Sequence, residues 1–268
     1  GDIAQCLRRP PSDTAAEKTV QLIERQLAVA GSNANVLTLG DNAYLFGASL
    51  GYTDCYEKTW GRFIAKTFAI PGNHDYENDN SNNYFGYFKA NANPDGKGTG
   101  YYRIDQSGWT VFALNSNIDA SAASVQAQWL KKELATAQPC VAAAWHHARF
   151  TSAPDGDNGT MTAMWDILDQ AKADAVLQAH EPQYERFGPM TSDGTLSAPG
   201  GLPPFLACPG AAAPSAGYTG LVASDSRWRG SGSGCSRLRL PHSTCKPAAS
   251  GNGSTRDSRA GHTGRQGI

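Results

Sequence analysis

Four short apolar runs in this chain each end in a carboxylate, a carboxamide or an imidazole, and that repetition restricts the fold more than any other feature. Val36-Leu37-Thr38-Leu39 runs into Gly40-Asp41-Asn42-Ala43-Tyr44, and the run ending at Ile70 into Pro71-Gly72-Asn73-His74-Asp75. Val141-Ala142-Ala143-Ala144-Trp145 delivers His146-His147, and Ala175-Val176-Leu177-Gln178 delivers His180. Short apolar runs bounded by turn residues read as buried strands. Open α/β sheets bind ligands at the carboxyl ends of such strands. A Gly-Asn-His-Asp tetrad alone also suits an ordinary turn, since Gly, Asn and Asp favour that backbone geometry. The set as a whole instead places an amide oxygen and an imidazole beside other metal-ligand types. Gly1-Asp2 at the start of the chain supplies a second Gly-Asp pair.

The order of these blocks resembles the calcineurin-like metallophosphoesterases, and within them the purple acid phosphatase branch and its secreted bacterial relatives. The residues that carry the resemblance are Gly1-Asp2, Gly40-Asp41-Asn42-Ala43-Tyr44, Gly72-Asn73-His74-Asp75, Trp145-His146-His147, and Ala179-His180 with Tyr184-Glu185-Arg186-Phe187. Five blocks in one order are far more specific than any single motif.

The resemblance implies an α/β fold, a two-sheet β-sandwich flanked by helices, incomplete here at both termini, with the catalytic domain over residues 1–205. It implies hydrolysis of phosphate esters, monoesters foremost, by a metal-bound hydroxide at a binuclear centre. Two metals about 3.5–4 Å apart can hold both the attacking and the leaving oxygen of an in-line displacement. Asp41 is the implied bridge, with Asp2 and Tyr44 on the first metal and Asn73, His146 and His180 on the second. A tyrosinate ligand suits a hard ferric ion, so the implied pair is Fe(III) with Zn, Mn or Fe(II). The lesser reading of Tyr44 is an aromatic packed under a loop. His74 is implied to assist catalysis without binding metal, protonating the leaving alkoxide. His147 is read as an orienting or structural neighbour, and Glu185-Arg186 as a structural pair.

The chain departs from this pattern at Ala179-His180-Glu181-Pro182. Pro182 stands where the resemblance places a second histidine on the first metal, and proline has no side-chain donor. That site keeps Asp2, Asp41 and Tyr44, to be completed by water, Glu181 or a loop residue. The alternative is a mononuclear or catalytically impaired relative. Ala148 likewise replaces the proline that commonly follows the paired histidines.

Composition fits a globular protein, with 40% hydrophobic residues in 268, enough for a sizeable core. No apolar stretch reaches the length of a membrane span. A formal net charge of −1 argues against a nucleic-acid surface. The partner that the resemblance implies is a small phosphate ester. The six cysteines include no Cys-x-x-Cys pair, which argues against a zinc ribbon or a thioredoxin-like redox motif, and they fit disulfides of unassigned connectivity in an exported protein. The export signal would lie upstream of Gly1.

Thr14 is placed to cap a helix running to about Ala30 with Gly31 as its stop, Ser124 a second to about Ala137, and a third spans about Thr160 to Ala171. Trp109 to Leu114 reads as a further strand, and Glu77 to Gly100, rich in Asn, Asp and Gly, as a surface insertion beside the site. Residues 206–268 form a Gly/Ser/Arg-rich tail. From Thr219 onward it holds eight Lys or Arg against two Asp or Glu. Such a tail is read as disordered, as a polyanion-binding segment, or as the product of a frame slip. Gly201 to Ala207 then reads as the remnant of a closing strand.

Overall fold

The computed structural model of the chain describes residues 1–153, 156–181 and 185–196, together with the backbone of 204–206. The readings on Pro182, on Tyr184 and on the tail beyond residue 206 lie outside these residues. Helix α1 (Ala15–Ala30) starts where the Thr14 hydroxyl accepts the Glu17 N–H at 3.3 Å. It stops at Gly31, whose φ of 85° favours glycine and whose N–H returns to Leu27. Strand β1 (Val36–Leu39) then pairs in parallel with β2 (Thr67–Ile70) to form a two-stranded sheet. Short helices α2 (His74–Glu77) and α3 (Asn82–Phe88) follow.

The second sheet begins with the antiparallel pair β3 (Tyr102–Gln106) and β4 (Trp109–Ala113). Helix α4 (Val125–Leu134), strand β5 (Cys140–His147), helix α5 (Thr162–Gln170) and strand β6 (Ala175–Ala179) come next. Two short strands, β7 (Glu185–Arg186) and β8 (Pro204–Leu206), complete a six-stranded sheet of order β3-β4-β5-β6-β8-β7. Its centre is parallel from β4 through β5 and β6 to β8. The fold is thus α/β with two sheets and flanking helices.

The two-residue period of β5 sorts the core and aims the site. Val141, Ala143 and Trp145 pack on one face with Leu130 of α4 and with Met164, Trp165 and Leu168 of α5. Ala144 faces the opposite way, with Leu39 of β1 and Ile70 of β2 filling the space between the sheets. His146 follows Ala144 on that inner face and is fully buried. Full burial of each large aromatic side chain in the outer layer stabilises the fold by roughly 2–3 kcal/mol.

Several expectations are met and some are sharpened. Ser124 caps α4 through the Ala127 N–H at 3.1 Å, but the regular helix ends at Leu134, before Ala137. The third helix is preceded by a single tight turn at Gly159–Met161, which Asn158 caps. Strand β8 falls inside the proposed closing remnant. The segment from Glu77 to Gly100 is more than a surface insertion. Its Tyr84 and Phe88, one turn apart on α3, are buried with Tyr52, Tyr56 and Cys55. Their aromatic spacing outweighs the polar composition that makes the stretch read as loop. Cys6 and Cys55 form a disulfide that closes this cluster.

Candidate functional site

The strand ends meet at His146. Its Nδ1 lies 2.7 Å from the Leu39 carbonyl, and a carbonyl can only accept, so Nδ1 carries the proton. The neutral ring then presents a lone pair at Nε2. Around that nitrogen stand Asp41 Oδ2 at 3.1 Å, Asn73 Oδ1 at 3.0 Å and His180 Nδ1 at 3.1 Å. One added proton on either ring satisfies only part of this set. A cation answers all four donors together. An octahedral ion with bonds of about 2.1 Å sets neighbouring donors about 3.0 Å apart, which is the spacing of His146 Nε2 from each of the other three. The donor set therefore fits a metal ion.

Local backbone geometry brings the donors in. Asp41, Asp2 and His180 have φ of 51°, 54° and 73°, an uncommon region for residues other than glycine. Asp41 turns the chain sharply off β1 and His180 off β6, and such strained residues gather at functional sites. Gly40 and Gly72 give the necessary clearance. A Cβ on Gly40 would overlap the His146 ring, and one on Gly72 would overlap Asp41.

The loop of Gly72 to His74 is fixed by Asp75, which is wholly buried. Its carboxylate accepts the Gly72 N–H at 2.9 Å, the Asn42 amide Nδ2–H at 2.9 Å and the Tyr52 hydroxyl at 2.6 Å. Burial and the charge of Asp41 raise the Asp75 carboxyl, and these hydrogen bonds act in opposition. Burial would raise Asp41 too, but a proton on His146 Nε2 would, by its charge and hydrogen bond and with the charge of His74, hold that carboxyl below the ordinary carboxylate range, as a cation at the same place would.

Asp2 sits beside Asp41 because residues 3–4 pair with the chain after β1, through Ile3 N–H to Asp41 O at 2.9 Å and Ala4 N–H to Asn42 O at 3.1 Å. Burial and then the negative charge of Asp41 raise the Asp2 carboxyl, with His146 and His74 opposing. Burial and then the charges of Asp2, Asp41 and Glu77 raise the Tyr44 phenol. A phenolate at Tyr44 would therefore need a cation to offset three carboxylates. The Tyr44 ring meets the His74 ring edge-on, centroids 4.5 Å apart. The His74 main-chain N–H donates to Asp41 Oδ1 at 3.0 Å.

His147 belongs to the same cluster. His146, His147 and His180 offer ligand atoms that all lie within 4.8 Å of one another, so three imidazoles here could hold a metal. His147 Nδ1 contacts Ser116 Oγ at 2.8 Å. Burial, then the charges of His146 and His180, push its pKa down to about 3, which keeps the ring neutral and able to donate a lone pair. The irregular register between Ala144 and His147 brings this second imidazole round toward the first. Ser116 was not singled out in the sequence, because no strand-end motif marks it. Glu185 closes the outer side, accepting the Thr151 hydroxyl at 3.1 Å and the Ser152 N–H. A cavity of about 250 Å³ opens from His180 toward Glu181 and Asn158.

A parallel-centred two-sheet fold with a histidine cluster and carboxylates at its strand ends defines a metal-dependent hydrolase scaffold. The chain belongs to the calcineurin-like phosphoesterase family, whose model matches residues 6–184. Among solved structures it is similar to a purple acid phosphatase, PPD1 from yellow lupin (Lupinus luteus) seeds. That likeness has a TM-score of 0.58 at 15% identity, covering 72% of this chain and 39% of that one. The chain therefore spans well under half of the lupin enzyme. It is also similar to GAP50, the anchor in the inner membrane complex of Plasmodium, with a TM-score of 0.54 at 10% identity over 80% of this chain and 72% of that one. At these identities the likeness speaks for the fold alone. No curated protein matches the sequence. Among the described residues no helix is long and apolar enough to cross a membrane.

Proposed function

We propose that this chain hydrolyses phosphate esters, monoesters foremost, from a single firmly held metal ion coordinated by Asp41, Asn73, His146 and His180. The observation that carries the reading is the convergence of three further donors on His146 Nε2 within 3.1 Å. When bound there, such an ion would supply Lewis acidity toward a phosphoryl oxygen and an activated water. His146 is held in its donor tautomer by Leu39, and Asn73 by the loop that Asp75 anchors. His74, adjacent to the donors and outside them, gives its proton to the leaving oxygen as the ester bond breaks. The cavity beside His180 leaves room for the organic part of the ester. Residues 1–205 form the catalytic unit in this reading, and 206–268 a separate tail.

A two-metal centre is the second reading. The pairing of Ile3 with Asp41 supports it, because it brings Asp2 beside Asp41, where with Tyr44 it could hold a further ion. With Pro182 in place of a histidine, that ion would be the weaker of the two. The Cys6–Cys55 disulfide supports export to an oxidising compartment.

The deciding experiment is metal stoichiometry by elemental analysis after loading with iron, zinc or manganese, paired with hydrolysis of a monoester and a diester. About one ion per chain with monoester turnover supports the single-metal enzyme. Two ions would replace it with the binuclear reading, and one ion without turnover would leave a catalytically impaired relative.

A further inference from the structure

The peptide unit between Pro71 and Gly72 is held at both of its poles. Its N–H donates to Asp75 Oδ2 at 2.9 Å, and its carbonyl accepts an amide hydrogen of Asn117 Nδ2 at 3.1 Å. A peptide unit is planar, so bonds on its opposite edges together fix its rotation about the chain. Glycine at position 72 offers little steric resistance of its own to that rotation. The next residue is Asn73, whose Oδ1 stands 3.0 Å from His146 Nε2.

Asn117 is in turn fixed by the chain that follows β4. Its main-chain N–H and its Nδ2 both donate to Asn115 Oδ1, at 3.0 and 3.1 Å. Asn115 is fully buried. Its own Nδ2 donates to the Tyr76 hydroxyl at 2.7 Å and to the Thr99 carbonyl at 2.9 Å. The Gln126 side chain bonds the Asn115 main chain in both directions, accepting its N–H at 2.7 Å and donating to its carbonyl at 3.0 Å. The hydrogens of both carboxamides are therefore spent on fixed acceptors, which sets the orientation of each. Ser116, between them, is the residue that contacts His147. One turn after β4 thus touches the loop that carries Asn73 and the end of β5.

We propose that Asn117 is a positioning residue for Asn73: acting against Asp75 across one peptide unit, it sets the direction in which Asn73 leaves the β2 loop, and so the reach of Asn73 Oδ1 toward a metal ion beside His146. The inference rests on the reading of Asn73 as a ligand. A residue that only packs would lower stability and leave the ion's surroundings alone. Asn117 instead acts on affinity, and acts through Asn73.

The test places Asn117→Leu, which keeps similar bulk without a donor, in a double-mutant cycle with Asn73→Ala in the intact chain, with Co(II) as the probe. Asn117→Leu is expected to weaken Co(II) binding by about 10–100-fold. The visible absorption of the bound ion should shift toward that of Asn73→Ala. In the Asn73→Ala background the same substitution should change affinity by less than about twofold. Undiminished affinity in Asn117→Leu, or losses that multiply in the double variant, would overturn the proposal.

A second readout needs no metal. Hydrogen exchange at the Gly72 N–H of the metal-free chain should quicken by about tenfold or more in Asn117→Leu, as the peptide unit loses one of its two holds. Unchanged protection there overturns the role of Asn117. Failure of the native chain to bind Co(II), or native affinity in Asn73→Ala, would instead sink the reading of Asn73 as a ligand.

Discussion

The ring of His146 is locked to the main chain of Leu39: its Nδ1 donates across 2.7 Å to a carbonyl at the end of β1, so the other nitrogen must face Asp41, Asn73 and His180. A strand from the small sheet thereby sets the tautomer of a ligand carried by the large sheet. Loss of the ring should remove the ion. His146→Ala is expected to weaken metal affinity by at least about 100-fold, with Asn73→Ala losing nearly as much, and with the circular dichroism of both unchanged. Isothermal titration on the demetallated proteins checks this, and native-like affinity in His146→Ala would refute the donor set.

Gly40→Ala and Gly72→Ala should each destabilise the fold by about 3 kcal/mol, because the added methyl meets the His146 ring in one case and Asp41 in the other. Gly31→Ala is the control. Its φ is 85° but nothing lies within 4 Å, so only backbone strain of about 1–2 kcal/mol applies. Urea unfolding of the three variants should preserve that order.

Asp75→Ala should cost about 3–4 kcal/mol, since it leaves the Gly72 N–H, the Asn42 amide and the Tyr52 hydroxyl without their acceptor in a dry interior. Metal affinity should fall with it, through release of the loop that carries Asn73. Tyr52→Phe removes a single donor and should cost only about 1–2 kcal/mol, leaving binding intact. If both variants bind metal normally, Asp75 does not organise the loop.

The Cys6–Cys55 bridge spans 49 residues of sequence, and by loop entropy its removal should cost about 4 kcal/mol. Paired Cys6→Ala and Cys55→Ala substitutions should lower the melting temperature while hydrolysis at 25 °C persists, because neither sulfur touches the donors. A melting temperature unmoved by the double substitution, or by reductant, would show that the bridge does not constrain the unfolded chain.

Residues at strand ends were legible because three signals coincide there: an apolar run, a turn residue and a ligand-type side chain. Asp41 and Asn73 carry all three, and His146 and His180 the apolar run and the ligand-type side chain. The partners that hold them did not. Leu39 acts through its carbonyl, which every residue possesses, and Asp75 acts as an acceptor inside a motif where it also suits a turn. Glu77 comes beside His74 only because the chain makes one helical turn there, in a stretch whose Asn and Asp content reads as loop. The same content hid α3, where Tyr84 and Phe88 find partners contributed by residues 52–56. Strand β3 was missed for a related reason: an edge strand with alternating Arg, Asp and Gln shows only half an apolar pattern.

The bond between His146 and Leu39 joins residues 107 apart in the chain, and His180 arrives 34 residues later still. Contacts of such long range form slowly. During synthesis, Asp41 and Asn73 leave the ribosome well before either imidazole exists, so the early half of the proposed centre would hold an ion only loosely. Secure loading must wait until β6 has joined β5. Retained metal would then record completed topology, and a pool of chains could be sorted into finished and unfinished molecules by its metal content alone.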